Sequence, residues 1–131
     1  MYFDEIKSFI DNQSDNAALT AYIQPLAAAL DKLQAVTALI INDQGEDKNM
    51  VGASATDYLA AFGLVSYAYM WAIMAEKSVA QPNDDFYQAK LYVGAFFNER
   101  LLPRLDGHIQ AIEAGSTSLM VMPEGLFNYN H

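Results

Sequence analysis

Cysteine is missing from all 131 residues. That excludes disulfides, thiolate nucleophiles and cysteine-ligated zinc or iron–sulfur sites, and it fits a cytoplasmic origin. Positive charge is scarce: seven Lys and Arg stand against 16 Asp and Glu, a net charge of −9. Nucleic-acid binding and attraction to anionic membranes both draw on Lys and Arg set against phosphates. This chain offers little to either. Histidine occurs as His108 and His131, and neither has a Glu three positions earlier. The Glu-x-x-His pairs of a bundle-core di-metal site are therefore absent. So are the phosphate loop, the dinucleotide-binding glycine pattern and the nucleophile elbow. Turn signals of the β-hairpin kind reduce to Asp106-Gly107, which lies inside a helical pattern. The N-terminus has no basic stretch followed by an apolar core, so no secretory signal is read.

What is present is apolar and helical. Apolar residues make up 53% of the chain. The length suits one domain, read here as 1–131, with a core large enough to need no metal or disulfide staple. The spacing predicts an all-α fold, an up-down antiparallel helical bundle of three long helices with a short N-terminal helix and an apolar C-terminal tail. The short helix covers 2–12, with Phe3, Ile6, Phe9 and Ile10 on one side. The first long helix runs from about 16 to 42. Leu19, Ile23, Leu26, Leu30, Leu33, Thr37 and Ile40 alternate steps of four and three, the seam of packed helices. Pro25 should kink or restart it. The second runs from about 47 to 80, with Phe62, Val65, Tyr69 and Ile73 as its stripe, widened by Tyr58, Leu59 and Met70. Gln81-Pro82-Asn83-Asp84 breaks the chain, and Asn83 or Asp84 should cap the third helix. That helix runs from about 84 to 114, with Phe86, Ala89, Val93, Phe96 or Phe97, Leu101, Leu105, Ile109 and Ile112 at helical spacing and a kink at Pro103. The tail 116–131 is too apolar for a solvated terminus and should pack on the bundle or a partner. Short connections make neighbouring helices antiparallel.

Residues 58–75 carry no charge, a length close to a membrane span. Gly63, Ser66 and three tyrosines dilute the run, and a buried central helix is apolar on all sides for the same reason. We read a core helix and no membrane span. Lys90, Arg100 and Arg104 fall within about 80° on an ideal helix. They form the one basic patch of an acidic chain: an anion or partner contact, or a solvated face. Tyr67, Tyr69 and Trp71 cluster on the second long helix. Trp and Tyr are enriched at interface hot spots as well as in cores, so Tyr67 and Trp71, with Leu126 and Phe127 of the tail, are the candidate interface. Asp57 and Glu76 lie 19 residues apart, about 28 Å along a helix, too far to act as a carboxylate pair. No residue is assigned a catalytic, cofactor-binding or metal-binding role.

The run ASATDYLAAFG, then FYQAKLYVGAFFNERLLPRL, then IEAGSTSLMVMPEGLF, resembles the extra C-terminal domain of a branch of bacterial acyl-CoA dehydrogenases that includes methylthiopropanoyl-CoA dehydrogenase-like enzymes. Phe86, Lys90, Phe96-Phe97 and Leu101-Leu102-Pro103, with the tail through Glu124 and Phe127, carry it most specifically, and it spans about 15–128. The resemblance implies a parent flavoenzyme that oxidises an acyl-CoA thioester to its 2-enoyl form, with a Glu base and FAD in the domains that precede this one. It implies an accessory role here, no cofactor within these residues, the preceding domains as partner, and a homo-oligomer in full length. Two rivals stay open: a free-standing helical interaction module or homodimer, and a small-ligand carrier with a cavity between helices bent at Pro25 and Pro103.

Overall fold

In the computed structural model, the described residues are 2–43 and 48–114. The tail reading, with Leu126 and Phe127, and residues 44–47 before the second long helix lie outside them.

Helix α1 spans Tyr2–Gln13. Asn16 then accepts from the Ala18 N–H and starts a short 3₁₀ turn, Ala17–Leu19. Helix α2 follows as Thr20–Asp43 and runs on through Pro25. The restart expected at Pro25 does not occur; the change from 3₁₀ to α bonding falls five residues earlier, at Thr20. Helix α3 spans Lys48–Val79. Asp84, accepting from the Phe86 N–H, caps α4, Asp85–Phe96. A π-helical segment, Phe97–Leu101, leads to Pro103 and then to α5, Arg104–Ala114. All elements among the described residues are helical.

Side-chain contacts fix the directions. Tyr2 donates to Ser66 and Gln13 to Glu76, so α1 runs parallel to α3. Thr37 of α2 meets Tyr58 near the opposite ends of their helices, so α2 runs antiparallel. Phe97 touches Tyr67 and His108 meets Asp57, so α4 and α5 descend along α3 in turn. The result is the expected up-down bundle, with α4 and α5 sharing the fourth position and α3 at the centre, against α2, α4 and α5.

The core lies mainly between α2 and α3. Leu19, Leu26, Leu30 and Leu33 are fully buried on one side, and each contributes about 1.5–3 kcal/mol by leaving water. Opposite them α3 presents Ala61, Val65, Ala68, Ala72 and Ala75. Steps of four, three, four and three keep these small residues on one line, which brings the two helices close. This corrects the stripe expected from the sequence. Val65 belongs to it, but Leu59 and Met70 point outward, 72% and 60% exposed. The largest apolar residues on α3 sit beside the seam rather than in it, because α2 fills the seam with leucines. Thr37, the polar member of the α2 seam, donates to the Leu33 carbonyl at 2.7 Å and shares a hydrogen bond with the Tyr58 hydroxyl at 2.8 Å. Ser78, fully buried, donates to the Met74 carbonyl.

The third long helix holds a second correction. Inward positions are Gly94, Phe97, Leu102, Leu105, Ile109 and Ile112. Phe86, Val93 and Phe96 face solvent, 59%, 48% and 58% exposed. Pro103 has no N–H to donate and its ring crowds the preceding turn. The chain widens to i→i+5 bonding, with the Leu102 N–H reaching the Phe97 carbonyl at 2.9 Å. That inserts an extra residue into the register, so Leu102 rather than Leu101 turns inward.

Candidate functional site

The tight packing on one side of α3 and the widened turn before Pro103 together leave an apolar groove on its other side. Tyr67, Met70, Trp71, Met74, Phe97 and Leu101 line it, and it encloses about 370 Å³. Tyr67 and Met70 are outward positions of α3, one turn apart. Trp71 lies against Gly94, where a Cβ would come 3.3 Å from the indole. Phe97 stacks edge-on to Tyr67 at 6.2 Å. Leu101 is here because the π segment rotates it out of the core. The lining bears no charge.

Helix α4 carries an exposed apolar face of its own. Phe86, Val93 and Phe96 repeat at helical spacing, and Tyr92 beside them is 80% exposed. Lys90 lies with its ammonium 5.0 Å from the Phe86 ring centre, a cation–π contact on that face. Exposed apolar surface of this extent marks a contact site more often than a free surface.

Of the residues singled out from sequence, Tyr67 and Trp71 are brought together in the groove. Lys90 is on α4, Arg100 in the π segment and Arg104 at the first position of α5. One continuous helix would have placed them in a common sector; the π segment and the turn at Pro103 separate them. Arg100 and Arg104 are exposed. Asp57 and Glu76 are held apart as expected, one against His108 at 2.9 Å, the other against Gln13 at 2.7 Å. His108 therefore ties α5 to α3. Met70, Met74, Phe97 and Leu101 were missed as a group. Met70 and Met74 stand one turn apart beside Tyr67, a legible signal; Leu101 depends on a register change that spacing does not show.

Pro25 and Pro103 do share a cleft, with Lys32 bound to Asp106 at 2.6 Å at its edge. Its volume is about 210 Å³, below the roughly 300–1,000 Å³ of ligand pockets. The Asn98 side-chain oxygen borders it, buried and without a hydrogen-bond partner among the described residues. Two phenols are shifted. Burial pushes the Tyr22 hydroxyl above its usual range, and it donates to the Leu91 carbonyl at 2.5 Å. Burial raises Tyr69 too, with the negative charge of Glu5, Tyr2 and a hydrogen bond to Glu5 adding to it.

Residues 2–123 match the family model described as Acetyl-CoA dehydrogenase C-terminal like. The chain belongs to this family. No curated protein matches it. Such a domain raises the question of flavin, and the described side chains do not fit one. The groove gives a pyrophosphate no cation and no helix N-terminus, and its two polar groups are the Tyr67 hydroxyl and the Trp71 indole. Among the described residues no three His, Asp or Glu side chains converge as a metal site. The segment Ala55–Val79 of the domain is long and apolar enough to cross a membrane by length and composition. Here α2, α4 and α5 pack against it, leaving much of it outside the core.

Proposed function

We propose that the chain is the accessory C-terminal domain of an FAD-dependent acyl-CoA dehydrogenase of the methylthiopropanoyl-CoA dehydrogenase-like branch, and that the outer face of α4 joins it to the flavin-bearing domains. The observation that carries this is the exposed row Phe86, Tyr92, Val93 and Phe96 on a chain of that family. A helix that turns its large apolar residues outward and its glycine inward is built to be covered from outside. In this reading the parent oxidises the acyl-CoA thioester elsewhere, and no residue described here takes part in proton or hydride transfer. The domain covers apolar surface on a cytoplasmic, homo-oligomeric enzyme. Lys90 lies on the docking face, where it meets acidic groups or the phosphates of the acyl-CoA.

The test uses the full-length enzyme. Val93→Glu with Phe96→Glu changes two exposed positions, so the domain stays folded. It should loosen from the enzyme, with faster proteolytic release of the domain and lower thermal stability of the flavin-bearing part. Unchanged release and stability would overturn the reading. The same face supports a second reading, a free-standing module that pairs α4 with α4 of another copy. Sedimentation of the 131-residue chain separates the two: a dimer abolished by the same pair of substitutions favours the module.

A further inference from the structure

We infer that the element covering α4 is an amphipathic helix of the parent enzyme, lying along α4 at a shallow angle with a carboxylate set against Lys90. This rests on the docking reading above and specifies its partner.

Spacing gives the shape of the contact. Phe86, Ala89, Val93 and Phe96 follow one another at steps of three, four and three, and all four are exposed. That is the 3.5-residue seam by which one helix packs along another at about 20°. Tyr92 widens the strip to about 120° at 100° per residue. Gly94, buried against Tyr22 and Trp71, marks the inward side, so α4 is anchored by its own domain and offers the seam outward. Ala89, the small member, lets a second helix come close between the aromatic rings. A strand or loop fits less well. Its backbone N–H and C=O groups would be buried on an apolar strip with no edge to pair with, whereas a helix satisfies its own.

Size and charge narrow the occupant. Helix α4 has 12 residues, which makes the strip about 18 Å long and about 10 Å wide. That falls well short of the roughly 800 Å² that each partner buries in a stable free-standing complex. A partner tethered in the same polypeptide needs less area, because a short linker sets an effective concentration on the order of millimolar. The area therefore favours a helix of the flavin-bearing domains over a second copy. Lys90 stands at one edge of the strip, its ammonium 5.0 Å from the Phe86 ring centre. In packed helices the positions flanking the seam carry charges that pair across it. A lysine held there calls for Asp or Glu on the partner. Coenzyme phosphates fit less well, since the apolar residues beside Lys90 would displace their water without replacing its hydrogen bonds.

The test again uses the full-length enzyme and reads the rate at which protease releases the domain. Phe86→Ser and Phe96→Ser, about 15 Å apart along α4, should each speed release several-fold. Ala95→Ser, off the seam, should leave it unchanged. Unchanged melting of the 131-residue chain in each variant separates undocking from unfolding. Release by Val93→Glu with Phe96→Glu but not by Phe86→Ser would keep the docking and overturn this inference, because an element that crosses α4 leaves Phe86 bare. No release by that pair either would sink the docking itself. Added salt should speed wild-type release by up to about fivefold, the span of an exposed ion pair, and Lys90→Gln should abolish that dependence. A salt dependence that persists in Lys90→Gln would overturn the carboxylate. So would protection of the wild type by added coenzyme A that Lys90→Gln removes, which would assign the lysine to phosphate.

Discussion

A methyl group added at Gly94 would stand 2.9 Å from a ring carbon of Tyr22 and 3.3 Å from the indole of Trp71. Tyr22 has little freedom to retreat, because it is buried and its hydroxyl is held by the Leu91 carbonyl. Gly94→Ala gains up to about 1 kcal/mol in helix propensity. Overpacking outweighs it, and a net loss of about 1–2 kcal/mol is expected in urea unfolding, with the slope unchanged. The same tyrosine makes stability depend on pH at the alkaline end. Burial raises its folded pKa above that of a free tyrosine. Below pH 10 the phenol is protonated in both states. Above it the unfolded chain loses the proton first and binds fewer protons than the native state, so stability falls as pH rises. Tyr69 acts in the same direction. Tyr22→Phe should flatten the decline measured from pH 9 to 11, while lowering stability near neutrality by about 1 kcal/mol for the lost hydrogen bond.

The π segment decides which of two adjacent leucines is structural. Leu102 is 7% exposed and belongs to the core; Leu101 borders the groove. Leu102→Ala should cost about 2–5 kcal/mol in thermal or urea unfolding and Leu101→Ala less than about 1.5 kcal/mol. Equal costs would mean a regular α-helix through Pro103. This is also where sequence reading reached its limit. The α2 seam was legible because Leu19 to Leu33 are large and regularly spaced. The α3 seam was not, because its members are mostly alanines and the eye follows Phe62 and Tyr69 instead. On α4 the row Phe86, Val93 and Phe96 reads as core by spacing, yet close packing at Gly94 turns the other side inward. Pro103 announced an interruption, but not that its accommodation would add a residue to the register.

For the whole molecule, the class of fold and the order and direction of its helices were readable from periodicity and short connections. Tyr67 and Trp71, read together from the sequence, line one groove, whereas the exposed face of α4 was hidden in a stripe assigned to the core. That face has a consequence for how the protein behaves in bulk. An exposed apolar row of this kind is kept apart from its copies by nine net negative charges spread over a 14.5 kDa body. Colloidal dispersion thus rests on Coulomb repulsion, which salt screens and protonation removes. Light scattering should rise as pH approaches the isoelectric point near 4.3, and Val93→Glu with Phe96→Glu should suppress that clouding. A protein of this design is dispersed by its ionic atmosphere and condensed by its bare helix, so acidity sets whether it stays in suspension.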